Sequence, residues 1–235
     1  MRINEIFGPT IQGEGKSAGK EVMFVRLAQC NLHCIWCDTP YTWNWLGTPF
    51  AHPDKFDKEK EIHEMCSDHI FRVLIGLSPL QAVVISGGEP LLQQKELVVL
   101  LRMLRRANYW IELETNGTIE PTSEVMSLVN QFNCSPKLAN SQDPLRLRER
   151  PNVLETLSGS ERTTFKFVVS SENDIDEILG YVLRYNMQDV YLMPEGRTRE
   201  ELEKHTELTK KLCSANSFKF TQRLHIIKFG TKRAV

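Results

Sequence analysis

Three of the six cysteines lie in one short segment, CNLHCIWCDT, which spans residues 30–39. Cys30, Cys34 and Cys37 are separated by three and then two residues, so their thiols are close enough to bind one metal centre. The N-terminus has charged residues and glycines where a secretory signal would have an apolar run. We therefore expect a cytoplasmic protein. In that compartment, clustered thiols are more often metal ligands or redox groups than disulfides.

Zinc and an iron–sulfur cluster are the two candidates for this segment. Structural zinc is nearly always four-coordinate. His33 lies inside the segment and could be a fourth ligand, but it directly precedes Cys34, and no second C-x2-C pair follows. A four-iron cluster normally has four thiolate ligands. Three cysteines would leave one iron with an open position, where a small molecule can bind. The cluster explains the ligand count better, and zinc remains the alternative.

Size and composition are those of an ordinary globular protein, with 235 residues, 41% hydrophobic and 25% charged. Lys plus Arg (29) nearly balance Asp plus Glu (30), for a net charge of −1. This balance argues against a nucleic acid as partner, and no apolar run is long enough to cross a membrane. We expect one domain, residues 1–235, in the cytoplasm.

The chemistry-bearing segments follow predicted strands. Strands are predicted at residues 21–28, 81–86, 110–115, 163–170, 189–194 and 218–226. Apolar spacing predicts helices around residues 97–104 and 175–183, and Thr198 with Glu201 predicts a capping box that opens another helix. Strands that alternate with helices predict an α/β fold, here an open, partial barrel of about six parallel strands.

Several segments have no assigned chemistry. Residues 41–57 read as a loop before a helix, and residues 138–150 as a mobile surface loop. Cys66, Cys134 and Cys213 are expected to be small, mostly buried apolar residues. His63, Cys66 and His69 share helical spacing, which fits a solvated helix face better than a metal site.

Two motifs, in this order along the chain, resemble those of the radical S-adenosylmethionine (SAM) enzymes. They are the C-x3-C-x2-C segment, placed after the first strand, and SGGEP at residues 86–90. The latter alone would read as a strand-ending turn. The resemblance implies a [4Fe-4S] cluster held by Cys30, Cys34 and Cys37, whose open iron binds SAM and whose electron cleaves SAM to a 5′-deoxyadenosyl radical.

Further blocks resemble one family within that group. EIFGPTIQGEG, FVRLAQCNLHCIWCDT, ISGGEP, ETNGT and SPK are similar to the 7-carboxy-7-deazaguanine synthases, from Asn4 to about Lys137, and TQRLH and the GTKRAV tail add to the likeness. The resemblance implies conversion of 6-carboxytetrahydropterin to 7-carboxy-7-deazaguanine, a queuosine precursor, by ring contraction with loss of ammonia. It also implies magnesium, a homodimer and an electron donor such as flavodoxin or ferredoxin. Residues 43–70 are the least family-like and read as a divergent insertion.

The resemblance assigns roles position by position. The residues implied to line SAM are Trp36, Cys37, Asp38, Gly88, Glu89, Ser135, Pro136 and Lys137. Those implied to hold the pterin are Ile11, Gln12, Gly13, Glu14, Arg26, Ser86, Glu114 and His225. Thr39 would bind magnesium through oxygen, and the Arg26 guanidinium matches a carboxylate. A turn-capping Thr39, an ion-paired Arg26 and a packed His225 are the structural alternatives.

Two other functions stay open at this point. A different small radical SAM enzyme, such as a glycyl-radical activase, would share the cysteines and SGGEP but would have no need of the EIFGPTIQGEG block as a pterin-binding entry loop. A non-catalytic metal-binding module would need neither SGGEP nor the GEG segment. Cluster absorbance, SAM cleavage and a deazapurine product distinguish the three.

Overall fold

A single sheet of nine strands runs through the computed structural model, which describes residues 1–235. The strands are β1 (Arg2–Ile11), β2 (Glu21–Leu27), β3 (His63–Glu64), β4 (Ala82–Gly87), β5 (Trp110–Thr115), β6 (Gln131–Cys134), β7 (Thr163–Val169), β8 (Val190–Pro194) and β9 (Lys219–Phe220). Their order in space is β3-β1-β2-β4-β5-β6-β7-β8-β9. From β2 to β9 all neighbours are parallel, which confirms the predicted α/β fold with a mostly parallel sheet.

Nine helices accompany the sheet. They are α1 (Lys58–Glu61), α2 (Ser67–Leu77), α3 (Gln94–Arg106), α4 (Ser123–Leu128), α5 (Leu145–Arg148), α6 (Pro151–Ser158), α7 (Asp174–Tyr185), α8 (Arg199–Asn216) and α9 (Leu224–Phe229). The predicted capping box is present at the start of α8, where Thr198 and Glu201 bond reciprocally. The helices lack the combination of length and hydropathy that a membrane span requires.

The core lies between the sheet and its helices, and it explains the apolar runs in the sequence. Every residue of β7 is buried, because a parallel strand is covered on both faces. The leucines at positions 97, 100, 101 and 104 of α3 are likewise buried, as their helical spacing predicts. Strand and helix together contribute to one core cluster of 36 buried residues.

The parallel register brings the chemistry-bearing loops to one edge of the sheet. Leu27 at the end of β2 pairs with Gly87 at the end of β4, and Thr115 at the end of β5 pairs with Cys134 of β6. The cysteine loop, SGGEP, ETNGT and SPK therefore all lie at or beyond the carboxyl ends of neighbouring strands. That edge is where ligands bind in parallel α/β folds.

The N-terminal segment differs from the expectation. An entry loop is expected at residues 5–15, but most of this stretch belongs to β1, which pairs with β2 in antiparallel register. The cysteine loop therefore follows the second strand and not the first. Register shifts between Phe7 and Thr10 interrupt the alternation of side chains and hide the strand pattern in the sequence.

The last predicted strand is also wrong in its extent. Only Lys219 and Phe220 form β9, and α9 begins at Leu224. The main chain turns away because Arg223 is buried against acidic side chains and the Leu224 N–H donates to the Gly13 carbonyl at 2.9 Å. A long-range anchor of this kind leaves no trace in local apolar spacing.

Residues 138–150 are packed and not a free surface loop. Leu138, Ser141, Asp143 and Arg148 are buried, and α5 lies within the segment. Arg148 donates to the carbonyls of Lys137 and Asp143 and pairs with Glu177, so its charge is compensated inside the fold. Buried partners, which the sequence does not reveal, account for the polar composition.

Three smaller expectations need correction as well. Cys66 is exposed, whereas Cys134 and Cys213 are buried as predicted. His63 lies in β3 and Cys66 precedes α2, so the supposed helical spacing with His69 does not exist. Leu183 of α7 is 86% exposed although it shares the apolar spacing of that helix.

Gly87 is the position at which the close approach of β2 and β4 should be measurable. Its φ is +140°, and a Cβ would lie 2.1 Å from the Leu27 carbonyl oxygen. We expect Gly87→Ala to lower the free energy of unfolding by about 2 kcal/mol, because both the backbone conformation and the contact are strained. Urea unfolding followed by circular dichroism measures the change.

Gly76 supplies the matched control. It lies inside α2, and a Cβ added there would have no neighbouring atom within 4 Å. Gly76→Ala should therefore raise the free energy of unfolding by up to about 1 kcal/mol through helix propensity. Equal stabilities for Gly87→Ala and the wild type would contradict the close approach.

Candidate active site

The three clustered cysteines line one cavity of about 450 Å³ at the carboxyl edge of the sheet. Their loop is fixed from outside by the segment that follows β6. The Ile35 N–H donates to the Ser141 carbonyl at 3.0 Å, the His33 N–H to Asp143 Oδ1 at 2.9 Å, and Trp36 Nε1–H to the Asn140 carbonyl at 3.1 Å. These bonds hold the cysteine loop against that segment.

The thiols have the arrangement that a multi-atom cluster needs. All are free cysteines. Four sulfurs around a single zinc ion would lie about 3.8 Å apart, given a Zn–S distance of about 2.3 Å. The only three potential ligand groups whose atoms lie within 4.8 Å of one another are Glu14, Asp38 and His225. At least one pair of the cysteine sulfurs is therefore more than 4.8 Å apart, which favours a larger centre, such as an iron–sulfur cluster, over a single ion.

His33 is not placed to complete a zinc site. Its ring stacks on Phe50 with centroids 3.5 Å apart and packs edge-on against Trp43. It lines a second, smaller cavity of about 160 Å³ and does not line the large one. His33 is therefore not available as the fourth ligand of a zinc ion.

Several donors surround the sulfur atoms. Cys30 Sγ accepts from the Leu32 N–H at 3.5 Å and from Asn116 Nδ2 at 3.8 Å. Cys37 Sγ accepts from Trp43 Nε1–H at 3.4 Å and lies 3.6 Å from Thr39 Oγ1. Burial raises the pKa of the Cys30 thiol to about 12, which the hydrogen bond from the Leu32 N–H only partly opposes. A positively charged metal centre is what would make such buried thiolates stable.

SGGEP is pressed against the cysteine loop. A Cβ on Gly88 would lie 2.1 Å from the Gln29 carbonyl oxygen, so only glycine allows this approach. The Glu89 N–H donates to the same carbonyl at 2.8 Å. Gly88 thus lies beside Cys30 with its backbone facing the cavity.

The Glu89 carboxylate points into the protein and does not line the cavity. It accepts from the N–H of Asn116 at 2.7 Å, from the N–H of Leu91 at 3.0 Å and from Thr115 Oγ1 at 3.0 Å. Burial raises its pKa to about 7 against the lowering effect of the hydrogen bonds from Asn116 and Leu91. Glu89 therefore ties the SGGEP turn to the end of β5.

A buried charge network forms another part of the cavity wall. Lys166 Nζ lies 3.1 Å from Glu14 Oε2 and 2.7 Å from Glu114 Oε2, with the lysine side chain 2% exposed. Arg223 Nε lies 3.0 Å from Glu14 Oε1, and its guanidinium also pairs with Asp38. Burial disfavours the charge on Glu14, yet Lys166 and Arg223 lower its pKa to about 2. Glu14 therefore stays ionised, because two buried cations compensate its charge.

Two carboxamides hold the carboxylates of β5 in place. Gln12 Nε2 donates to Glu112 at 2.6 Å and to Glu114 at 3.0 Å. Asn133 Nδ2 also donates to Glu114, at 2.8 Å. Burial and the neighbouring Glu114 raise the pKa of Glu112. Of these two carboxyl groups, only Glu114 borders the cavity.

Cationic groups line the cavity as well. Arg26 Nε lies 2.7 Å from Glu5 Oε1, and its guanidinium lies over the rings of Phe7 and Tyr41. Arg233 of the C-terminal tail lies over Tyr41 at 3.8 Å from the ring centre and pairs with Glu61 at 2.7 Å. The basic tail therefore folds over the cavity and is not only a solvated end.

Most of the residues assigned from the sequence meet in this cavity. Those in its wall are Ile11, Gln12, Gly13, Glu14, Arg26, Cys30, Cys34, Trp36, Cys37, Asp38, Thr39, Ser86, Gly88, Glu114, Ser135, Lys137 and His225. Glu89 and Pro136 are outside the wall. His225 lies 3.7 Å from Asp38 and 4.0 Å from Glu14, and Arg223 pairs with both acids, so their charge is compensated without a metal ion.

Four residues of the site do not emerge from the sequence. They are Trp43, Asn116, Lys166 and Arg223. Lys166 has a signal, because it is the only charged residue in the apolar strand TTFKFVVS. Asn116 and Arg223 lie in the segments ETNGT and TQRLH, but the motifs assign them no role of their own. Nothing local marks Trp43 as a sulfur partner.

The chain is similar in sequence to several known proteins. The family described as "4Fe-4S single cluster domain" matches residues 11–137. The 7-carboxy-7-deazaguanine synthase of Pyrobaculum aerophilum is 33% identical, over 99% of this chain and 96% of the relative. The enzyme of that name from Bacillus subtilis is 30% identical, over 99% and 98%.

Solved structures with the same fold are also found. The crystal structure of QueE from Escherichia coli superposes with a TM-score of 0.70 at 24% identity, over 95% of this chain and 94% of that one. Streptococcus suis SuiB bound to S-adenosylmethionine superposes with a TM-score of 0.52 at 12% identity, over 82% of this chain and 48% of that one.

Lys166→Met tests the buried charge network. The substitution leaves Glu14 and Glu114 without their shared cation, and we expect the free energy of unfolding to fall by about 3 to 5 kcal/mol. Lys211→Met is the control, because Lys211 and its partner Glu172 are both well exposed and the change should be below about 0.5 kcal/mol. Urea unfolding at neutral pH measures both.

The same pair of variants has a pH signature. Because the pKa of Glu14 is lowered from 4.5 to about 2, its contribution to stability is present above pH 4.5 and is lost as the pH falls towards 2. The deficit of Lys166→Met should therefore shrink over that range. A deficit that stays constant down to pH 2 would contradict the role of Glu14.

Proposed function

The chain belongs to the 7-carboxy-7-deazaguanine synthases, the radical SAM enzymes of queuosine biosynthesis, and we propose that its large cavity converts 6-carboxy-5,6,7,8-tetrahydropterin to 7-carboxy-7-deazaguanine. The observation that carries the proposal is the shared cavity. Three free thiols without a fourth protein ligand border the same 450 Å³ space as an ionised carboxylate and arginine network. Cofactor and a polar, carboxylated substrate therefore have adjoining sites.

The cluster and SAM belong to one part of the wall. Cys30, Cys34 and Cys37 would hold the [4Fe-4S] cluster, and its open iron is left for SAM. When bound, the two cofactors supply a carbon-centred radical that abstracts a hydrogen atom from the substrate. The residues that we propose to border SAM are Trp36, Cys37, Asp38, Gly88, Ser135 and Lys137. Glu89 would act from behind the wall, by holding the Gly88 turn, and Pro136 would shape the SPK turn.

The substrate would be recognised by the charged side chains in the other part of the cavity wall. Glu114 and Glu14 are carboxylates that accept hydrogen bonds from the amino and ring N–H groups of a pterin. Arg26 is the partner that we propose for the substrate carboxylate. Backbone and side chains of Ile11, Gln12, Gly13, Ser86 and His225 would complete the pocket. The C-terminal tail, which folds over the cavity, would exclude water from the radical.

Further components are part of this proposal. Thr39 would provide one oxygen ligand to Mg²⁺, with the remaining ligands from substrate and water. A small electron-transfer protein such as flavodoxin or ferredoxin would reduce the cluster. Unpaired cysteines fit a cytoplasmic location, and we propose a homodimer, which sedimentation analysis tests directly.

Replacing Cys34 tests the cluster assignment and the reaction together. The wild type is reconstituted anaerobically with iron and sulfide, reduced, and mixed with SAM and 6-carboxytetrahydropterin. We expect cluster absorbance and a deazapurine product, and Cys34→Ala should abolish both because a thiolate ligand is lost. The control is Cys66→Ala, whose thiol is exposed and outside the cavity, and which should react like the wild type.

The alternatives give distinct results in this assay. Absence of a cluster and of 5′-deoxyadenosine in the wild type would favour a non-catalytic metal-binding module. Formation of 5′-deoxyadenosine without a deazapurine would favour a different radical SAM enzyme, such as a glycyl-radical activase.

Arg26→Gln tests recognition of the substrate carboxylate. Loss of a charge-assisted hydrogen bond, worth about 1.5 to 3 kcal/mol, should raise the KM for the pterin by roughly 10- to 100-fold. Affinity for SAM should be unchanged. The matched control is Arg102→Gln, because Arg102 pairs with Glu124 on an exposed surface. An unchanged KM in Arg26→Gln would rule out this role for the arginine.

A further inference from the structure

Trp43 donates its indole N–H to a cysteine sulfur. Trp43 Nε1 lies 3.4 Å from Cys37 Sγ, within reach of an N–H···S hydrogen bond. The side chain is 3% exposed, so water does not compete for the N–H. This residue lies beyond the cysteine loop, in the aromatic loop at residues 41–57.

The indole is fixed in this orientation by packing. His33, Phe50 and His52 all meet its ring edge-on, with centroid separations of 5.0, 5.6 and 5.8 Å. His52 Nε2 also lies 3.0 Å from the carbonyl oxygen of Cys37, which joins this aromatic cluster to the cysteine itself. Moving the indole away from the sulfur would require the whole cluster to repack.

The other tryptophans of the region do not share this contact. Trp36 Nε1–H donates to the Asn140 carbonyl at 3.1 Å, and Trp45 Nε1–H to the Tyr41 carbonyl at 3.4 Å. Both indoles are only partly buried, and both donate to backbone carbonyls. Among these three side chains, only Trp43 has a sulfur as its acceptor.

A hydrogen bond to a ligand sulfur affects how easily the cluster accepts an electron, because reduction makes the cluster more negative. A cluster that accepts one electron becomes more negative, and part of the added charge resides on its sulfur ligands. An N–H dipole directed at a sulfur stabilises the more negative state, and it does so strongly where water is absent. Hydrogen bonds to ligand sulfurs are one of the main ways in which a protein adjusts a cluster potential.

We propose that Trp43 raises the reduction potential of the iron–sulfur cluster through its hydrogen bond to the Cys37 sulfur. The residue donates to the sulfur of a proposed cluster ligand, so its role would be to tune the cofactor. This inference rests on the proposed function, because it requires that Cys37 binds the cluster.

Trp43→Phe removes the N–H and keeps an aromatic ring. The reconstituted variant is titrated with dithionite in the presence of redox mediators, and the reduced cluster is measured by electron paramagnetic resonance. We expect the ratio of reduced to oxidised cluster at a fixed potential to fall about tenfold, which is a shift of about 59 mV to more negative potential for a one-electron couple. Trp45→Phe, which removes an N–H bonded to a carbonyl, should titrate like the wild type.

A second measurement uses the unaltered chain. Protein grown with tryptophan labelled by ¹⁵N in the indole is reduced and examined by electron spin echo envelope modulation. We expect a ¹⁵N coupling to the cluster in the wild type and in Trp45→Phe. If Trp43→Phe assembles a cluster, it should lack that coupling. Should that variant fail to assemble one, a wild-type cluster without the coupling still overturns the proposal.

The results separate this inference from the proposed function. A wild type that assembles no cluster fails the proposed function itself. A wild-type cluster without ¹⁵N coupling overturns the role of Trp43 and leaves the function intact. The same conclusion follows if Trp43→Phe has an unchanged or more positive potential.

Discussion

The buried pairing of Lys166 and Arg223 with three carboxylates is the interaction on which the site depends. Lys166 links Glu14, after β1, to Glu114 on β5, and Arg223 links Glu14 to Asp38 of the cysteine loop. Segments more than two hundred residues apart in the chain are thereby joined at one point. Buried charges require this compensation, since an isolated ion inside a protein would cost several kcal/mol. The same compensation lowers the pKa of Glu14 and of Asp38, so these two carboxylates stay ionised for a substrate.

Around this network the sheet positions the loops, and the loops carry the proposed ligands. Parallel pairing places the ends of β2, β4, β5 and β6 side by side, and each end continues into one chemistry-bearing segment. Gly88 permits the SGGEP turn to contact the cysteine loop, and Glu89 joins that turn to β5. The cysteine loop has almost no regular structure of its own, so its shape comes from neighbours on both sides. A rigid edge with supported loops is what radical chemistry requires of a protein, because the reactive atoms must stay in place and away from water.

Much of the fold could be predicted because the relevant signals are local. The apolar runs of β4 and β7, the leucines of α3 and the capping box at Thr198 are each read from a few neighbouring residues. The failures involve long-range partners. Residues 138–150 look like a solvated loop until Arg148 is seen to pair with Glu177, and the stretch after β9 looks like a strand until Arg223 is seen to be held by Glu14 and Asp38. β1 escapes prediction because its register shifts break the alternation.

The sequence by itself determined which residues could hold a metal centre. Cys30, Cys34 and Cys37 are close in sequence, so their spacing predicts three ligands of one centre, and the ordered motifs indicate that this centre is a [4Fe-4S] cluster. Tertiary structure decided what surrounds them. Only the fold brings Lys166 and Arg223 to Glu14, turns Glu89 away from the cavity, and places the indole of Trp43 on the Cys37 sulfur. Spacing in the sequence reveals the candidate ligands because three cysteines in one short loop cannot lie far apart. Charge compensation and hydrogen bonding to these ligands depend on residues that meet only after folding.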